Sequence, residues 1–131
     1  MAKVFLTCMD ESVARDLTCV LAIEKHRIER RSPDTRIDDF LDADIVFAGD
    51  DARQYVPLLR GVRLKRPALP FIVVTKTPDT SRWLDALEAG ASDYCSAPFE
   101  SRQIHWLMES VLPRVWSGST NAGHRRMAAG A

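Results

Sequence analysis

The 131-residue chain has few cysteines and histidines, and their arrangement excludes several classes of site. Its three cysteines, Cys8, Cys19 and Cys95, are odd in number, and no pair has CxxC spacing. We therefore predict reduced thiols in or near the core, not a disulfide framework or a metal set. The three histidines are scattered, which gives no histidine-cysteine pattern for a metal site.

Longer patterns are missing as well. The apolar runs are far shorter than the roughly 20 residues of a membrane-spanning helix. The amino-terminal stretch MAKVFLTCMD lacks the apolar core and cleavage site of a signal peptide, so we expect a cytoplasmic protein. Lys plus Arg and Asp plus Glu both number 18, so net charge exerts no pull towards nucleic acid or membrane. Neither is expected as a partner.

Two basic clusters stand out locally in the sequence. Neither cluster has interleaved aromatic residues, so we interpret both as solvated charge and not as a nucleic-acid patch. A surface for an acidic partner is the alternative. The clusters are Arg27, Arg30 and Arg31, and Arg60, Arg63, Lys65 and Arg66.

Five short apolar or β-prone segments alternate with five helical patterns. Apolar runs without alternation indicate strands that are covered on both faces, as in a parallel α/β sheet. The predicted strands are KVFLTC (3–8), RIERRS (27–32), DIVFAG (44–49), FIVVT (71–75) and SDYCS (92–96).

Capping and breaking residues set the expected helix ends. Asp10 or Ser12 can cap the first helix, and Gly90 ends the fourth. We predict that Pro33-Asp34 opens a short second helix and that Pro57 lies in the first turn of the third. The last helix is expected from about Glu100 to Val115, and Pro113 distorts or ends it. Residues 1–115 then form one domain, and 116–131 form a flexible tail or linker.

Polar side chains follow several of the predicted strands. In parallel sheets the functional crevice lies beyond the carboxyl ends of the strands, so Asp10, Asp50, Asp51 and Thr75 are expected to meet there. Clustered carboxylates favour a cation such as Mg²⁺. Each residue also has a simpler interpretation: the aspartates as helix caps or turn residues, and Thr75 as an ordinary strand residue.

The stretch FIVVTKTPDTSRWLDALEAGASDYCSAPFE (71–100) resembles a response-regulator receiver domain of two-component signalling, of the chemotaxis-regulator-like kind. It carries the family's strand-end Thr75, the Ala89-Gly90-Ala91 step, the aromatic position Tyr94 and the pair Pro98-Phe99. The resemblance covers about residues 3 to 112. It implies a flavodoxin-like (βα)5 fold, with a doubly wound, five-stranded parallel sheet in the strand order 2-1-3-4-5.

The chain departs from the family's pattern at its functional positions. Ala97 stands where the family has lysine, and Met9 replaces one of two acids after the first strand. The family's phosphoacceptor position falls on Gly49, with Asp50 one residue late. A one-residue slip turns a strand side chain to the other face, although a bulge or the flexibility of Gly49 could correct it.

The resemblance with these departures favours a pseudo-receiver. Such a chain has no catalytic residues and no cofactor, and signals by phosphorylation-independent protein-protein interaction. The resemblance implies binding through the face of the fourth helix, fifth strand and fifth helix, with a histidine kinase, an output protein or a second copy of the chain as partner. The switch and interface candidates are Tyr94, Trp83, His105 and Trp106; the two tryptophans can equally be packing residues.

A working but atypical receiver is the first alternative. Asp50 or Asp51 would accept a phosphoryl group, Asp10 and Asp50 would hold Mg²⁺, and Thr75 would contact the phosphoryl oxygens. Enzyme activity would then be limited to autophosphorylation from a phosphodonor and slow hydrolysis. Flavin, cobalamin or nucleotide binding on a similar fold is the least favoured, because the chain has no Gly-rich phosphate loop and no Walker A sequence.

Overall fold

A computed structural model describes residues 2–32, 34–77 and 79–112. Strands and helices alternate along this part of the chain. The strands are β1 (Lys3–Thr7), β2 (Arg27–Arg31), β3 (Ile45–Gly49), β4 (Phe71–Thr75) and β5 (Asp93–Ser96). The helices are α1 (Glu11–Ile23), α2 (Ile37–Phe40), α3 (Ala52–Lys65), α4 (Thr80–Ala89) and α5 (Ser101–Val111).

The five strands form one parallel sheet in the order β2-β1-β3-β4-β5, as predicted. The chain begins near the middle of the sheet, extends to β2 at one edge and then crosses back to β3. The direction of winding therefore changes between β1 and β3. Sheets of this kind open a crevice at the carboxyl end of that switch point.

Two apolar clusters hold the sheet between its helices. All five residues of β3 and of β4 are buried, in agreement with strands that are covered on both faces. One cluster packs α1 and α5 on one face, and the other packs α2, α3 and α4 on the opposite face. The helical members include Leu17, Leu21, Ile104, Leu107 and Met108 in the first cluster, and Phe40, Leu58, Leu59, Val62 and Ala86 in the second.

Aspartate caps begin three of the helices. The carboxylate of Asp10 accepts a hydrogen bond from the Val13 amide, as one of the two predicted caps for α1. Asp51 and Asp79 do the same at the starts of α3 and α4. At the other end of α4, Gly90 has a φ of 110°, the left-handed conformation that makes glycine a common helix stop.

The prediction for Pro57 is wrong. Helix α3 begins at Ala52, so Pro57 lies in its second turn. A proline inside a helix removes one backbone hydrogen bond and costs about 3 kcal/mol. The Asp51 cap and the burial of Tyr55, Leu58 and Leu59 on the same helix compensate for this cost.

The last helix is shorter than expected. It ends at Val111, and the backbone of Leu112 is extended, with a ψ of 155°. The residue before a proline is disfavoured in the helical region, which explains the end four residues early. The prediction that Pro33-Asp34 opens the second helix is wrong: α2 begins at Ile37, because the backbone of Arg36 before it is extended, with a ψ of 145°. The predictions for 113–115 and for a flexible tail over 116–131 lie outside the described residues.

Two other sequence interpretations need correction. Arg63 and Arg66 are not simply solvated charges, because they are partly buried and donate hydrogen bonds to backbone carbonyls of neighbouring loops. Cys95 is buried and Cys8 half-buried, but Cys19 is exposed on α1, so the prediction of a core or near-core thiol is wrong for Cys19.

Candidate functional site

A crevice of about 260 Å³ lies at the carboxyl ends of β1, β3 and β4, and it is the candidate functional site. Its walls bring together Asp10, Asp50, Asp51 and Thr75, the four polar residues that the strand order had placed there. Two basic side chains, Lys76 and Arg82, also line it. The arrangement of charges among these residues determines what the crevice can do.

Asp10 pairs with Lys76. One carboxylate oxygen lies 2.8 Å from Lys76 Nζ, and the other accepts hydrogen bonds at 3.0 Å from the Val13 amide and the Ser12 hydroxyl. The hydrogen bond from Lys76, with that from the Val13 amide, lowers the pKa of Asp10 to about 2. Asp10 is therefore an ionised, exposed carboxylate that already has a cationic partner.

Asp50 is the most enclosed carboxylate of the crevice, with 23% of its side chain exposed. Its Oδ2 accepts a hydrogen bond from Thr75 Oγ1 at 2.7 Å and from an Arg82 guanidinium nitrogen at 2.8 Å. Thr75 belongs to β4 and is buried, and Arg82 belongs to α4. Asp50 therefore joins the third strand, the fourth strand and the fourth helix at one oxygen atom.

Asp51 serves mainly as the cap of α3. Its Oδ1 accepts a hydrogen bond from the Arg53 amide at 3.0 Å, and the Arg53 side chain lies 3.5 Å from the same oxygen. The structural interpretations of Asp10 and Asp51 as caps are thus both correct.

Gly49, the position where the resemblance implies a phosphoacceptor, has no room for a side chain. An ideal Cβ at Gly49 would lie 2.0 Å from the Cys8 carbonyl oxygen and 2.9 Å from Met9 Cα. Cys8 leaves β1 with a φ of 60°, and its backbone crosses directly over Gly49. Real Cβ atoms do not approach backbone atoms this closely, so the chain could carry an aspartate here only if the Cys8-Met9 segment moved.

Met9 and Ala97 occupy the positions at which the family has an acid and a lysine. Both are half-buried and pack against the apolar cluster between the sheet, α1 and α5. The Ala97 amide also donates a hydrogen bond to the Thr75 carbonyl at 2.8 Å. These two residues therefore extend the core towards the crevice and bring no charge to it.

The predicted interface residues lie in two different places. Tyr94 and Trp83 are half-buried neighbours between β5 and α4. The Tyr94 hydroxyl is buried and has no hydrogen-bond partner among the described residues, and burial raises the pKa of Tyr94. Trp106 is 37% exposed on α5. His105 instead lies against Glu24 at the end of α1, so the structure places it on the α1 side of α5 and not with Trp83 and Tyr94.

Sequence reasoning missed two residues of the site. Nothing in the spacing of Arg82 within α4 indicates that its side chain reaches Asp50, 32 positions earlier. Cys8 was read as the end of a strand, whereas its left-handed backbone closes the space at Gly49. A positive φ at a cysteine has no sequence signal.

The ion pairs Asp10–Lys76 and Asp50–Arg82 also affect whether the crevice can hold Mg²⁺. Asp10 and Asp50, the proposed metal ligands of the working-receiver alternative, are each bonded to a basic side chain. Within residues 2–32, 34–77 and 79–112, no three His, Cys, Asp or Glu side chains form a group that could hold a metal ion.

The chain resembles known proteins in sequence and in fold. It is 33% identical over 72 residues to the protein PetR of Rhodobacter capsulatus, covering 55% of this chain and 29% of PetR. It is 23% identical over 124 residues to the phosphate regulon transcriptional regulatory protein PhoB of Klebsiella pneumoniae, covering 88% of this chain and 54% of PhoB. The chain thus spans about half or less of the length of these relatives. No protein-family model matches it.

A likeness in fold accompanies these sequence relatives. A crystal structure of a response regulator receiver domain protein from Clostridium thermocellum superposes with a TM-score of 0.73, at 16% identity, over 91% of this chain and 100% of that one. In fold and in its sequence relatives, this chain is similar to response-regulator receiver domains. The predicted resemblance and the predicted fold class are confirmed. In the part of the chain that the structure describes, no helix is long and apolar enough to cross a bilayer.

Replacing Lys76 with methionine is expected to raise the pKa of Asp10 from about 2. The pKa of Asp10 should remain below the ordinary value of an aspartate, because the Val13 amide still donates a hydrogen bond to the carboxylate. Since the folded-state pKa is depressed, the ionised carboxylate contributes stability above the ordinary pKa, and this contribution is lost as the pH falls towards 2. Carboxyl carbon NMR measures the midpoint. Asp79, which caps α4 and has no lysine partner among the described residues, is the control; an unchanged Asp10 midpoint contradicts the pairing.

Proposed function

We propose that this receiver domain is a pseudo-receiver, which acts in two-component signalling through protein-protein interaction that does not require phosphorylation. The observation that carries the proposal is the closed position at Gly49. An aspartate in the family's register cannot be placed there without displacing the Cys8 carbonyl, which would lie 2.0 Å from its Cβ. The domain then has no catalytic residues and needs no cofactor.

The charges in the crevice support the same proposal. Phosphoryl transfer to a receiver needs a cation beside the carboxylates and a second positive group for the acyl phosphate. Here Lys76 and Arg82 neutralise Asp10 and Asp50 directly. Met9 and Ala97 contribute apolar contacts where charged groups would be needed.

The face of α4, β5 and α5 is the proposed binding surface. It exposes apolar side chains that no described part of the chain covers, with Leu84 50%, Leu87 37% and Trp106 37% exposed. The proposed partner is a histidine kinase or an output protein of a signalling pathway. A homodimer through the same face is the other arrangement that we consider. A cytoplasmic location remains the corresponding expectation.

A working receiver that uses Asp50 is the second candidate. The observation that favours it is the 2.7 Å hydrogen bond from Thr75 to Asp50, which places a hydroxyl beside a carboxylate in the crevice. Lys76 lines the same crevice and could supply a positive charge that Ala97 does not. For this candidate to hold, Asp50 must exchange Arg82 for a metal ion.

Incubation with Mg²⁺ and acetyl phosphate is expected to leave the mass of the intact protein unchanged. The reason is that glycine occupies the family's phosphoacceptor position, and that Asp50 already accepts hydrogen bonds from Arg82 and Thr75. Intact-mass spectrometry on wild type, Asp50→Asn and Asp51→Asn tests this, with circular dichroism to show that each is folded. A phosphoryl adduct that disappears in Asp50→Asn would establish the second candidate, and one that disappears in Asp51→Asn would place the acceptor at Asp51; either result ends the proposal.

A further inference from the structure

A cluster of titratable side chains lies where α1 leads into β2, at the amino-terminal ends of the strands and away from the crevice. Glu24, which ends α1, is the centre of this cluster. One of its carboxylate oxygens lies beside His105 Nδ1, and the other lies 3.5 Å from His26 Nε2. The second ring nitrogen of His105 lies 3.3 Å from Glu109, one turn further along α5. The cluster thus connects the end of α1, the start of β2 and α5.

His26 is the buried member of the cluster, with 8% of its side chain exposed. Its Nδ1 accepts a hydrogen bond from the Ala2 amide at 3.1 Å, so this nitrogen carries no proton and the ring is neutral. The charged groups that act on His26 are Glu24, His105 and the chain's amino terminus. Burial lowers the pKa of His26 and outweighs Glu24, which raises it, while the other two lower it further.

The hydrogen bond to His26 holds the residue that leads into β1. Ala2 is buried and belongs to the apolar cluster that packs α1 and α5 against the sheet. Its carbonyl oxygen accepts a hydrogen bond from the amide of Arg27, the first residue of β2, at 2.9 Å. Loss of the contact between Ala2 and His26 would therefore also weaken the contact between the starts of the two strands.

We propose that His26 is an acid-sensitive contact, which fixes the start of β1 to the corner between α1 and β2 and releases it when the ring is protonated. A proton on Nδ1 converts the acceptor into a donor that faces the donating Ala2 amide. Two opposed N–H groups in a buried site favour displacement of either the ring or Ala2. Glu24 opposes this release because its carboxylate attracts the charged ring. The inference is independent of the proposed function, since it involves neither the crevice nor the proposed binding surface.

The direction of the pH dependence follows from the lowered pKa of His26. A histidine in an unfolded chain titrates near pH 6.5. The stability that the neutral ring contributes is therefore fully present above about pH 6.5, and it is lost as the pH falls below this value towards the folded-state pKa. We expect the loss to appear first as a local opening at the start of β1 and β2, which amide hydrogen exchange detects.

The first test is amide hydrogen exchange of the full chain, followed by NMR at about pH 7.5 and about pH 5 and corrected for the intrinsic effect of pH on exchange. Protection of the Arg27 amide should fall about threefold or more at the lower pH. The Ser92 amide donates to the Phe71 carbonyl at 2.8 Å at the same end of the sheet, and it is the control. Unchanged protection at Arg27, or an equal loss at Ser92, overturns the inference.

Three variants then assign the effect to His26. His26→Asn places an amide oxygen near the position of Nδ1 and does not titrate, so protection of the Arg27 amide should no longer depend on pH. Glu24→Gln should lower the titration midpoint of His26, read from its ring proton shifts, because the carboxylate that raises the pKa is gone. Glu109→Gln changes a carboxylate beside His105 and should leave that midpoint in place. Protection that still depends on pH in His26→Asn, or a midpoint that Glu24→Gln does not lower, refutes the inference.

Discussion

Replacing Gly49 with alanine is expected to destabilise the fold by about 3 kcal/mol, at the upper end of the usual cost of overpacking, because backbone must move to admit the new side chain. The new Cβ would lie 2.0 Å from the Cys8 carbonyl oxygen, 2.8 Å from the Cys8 carbonyl carbon and 2.9 Å from Met9 Cα. All three atoms are backbone, so no side-chain rotation relieves the overlap. Urea unfolding followed by circular dichroism measures the loss.

Gly61→Ala is the matched control for that substitution. Its Cβ would approach the side chain of Ile37, at 2.7 Å from Cδ1, and this side chain is half-buried and can rotate. Alanine also gains about 1 kcal/mol over glycine inside a helix. We therefore expect a net change near zero. A loss at Gly49 as small as the change expected at Gly61 would show that the Cys8-Met9 segment moves easily, and an acceptor at Gly49 would then be possible.

Replacing Arg63 with alanine is expected to cost about 2–3 kcal/mol, since a partly buried charged donor then leaves several acceptors unpaired. The Arg63 guanidinium donates to the Gly90 carbonyl at 2.9 Å, the Leu69 carbonyl at 2.7 Å and the Ser92 hydroxyl at 3.2 Å. It ties α3 to the end of α4 and to the segments that lead into β4 and β5.

Arg60→Ala on the same helix separates this role from a general effect of charge. Arg60 is exposed and makes no hydrogen bond or ion pair with the described residues, so its loss should change stability by about 0.5 kcal/mol at most. Arg63→Lys should recover only part of the loss, because one ammonium group cannot reach three separated acceptors. Equal midpoints of thermal unfolding for Arg60→Ala and Arg63→Ala would refute the anchoring role.

The elements that sequence predicted well are those with a strong local pattern. Strands β3 and β4 were predicted from continuous apolar runs. The end of the fourth helix at Gly90 was predicted from a glycine that directly follows a helical pattern. The Asp10 cap followed from a polar residue before a helical pattern. The order of the strands came from the resemblance and not from the periodicity.

The features that escaped prediction depend on contacts between distant residues. The start of α3 was misjudged because proline favours a first turn, whereas an aspartate cap six residues before Pro57 and a buried apolar stripe determine the helix. Arg63 was read as surface charge, since its acceptors at Leu69, Gly90 and Ser92 come together only in the folded chain. The positive φ of Cys8 likewise appears only when β1 and β3 are adjacent.

The hydrogen bonds at Asp50 have a mechanical consequence. One carboxylate oxygen holds Thr75 of the sheet and Arg82 of the first turn of α4, so that helix end cannot swing outwards without losing an ion pair. Binding of a cation to Asp50 would break its ion pair with Arg82 and release the start of α4. It would therefore lower the affinity for a partner that binds α4 in its present position. By thermodynamic reciprocity, that partner in turn weakens cation capture by the same factor. Even without phosphorylation, cation binding in the crevice and partner binding at α4 are therefore thermodynamically coupled.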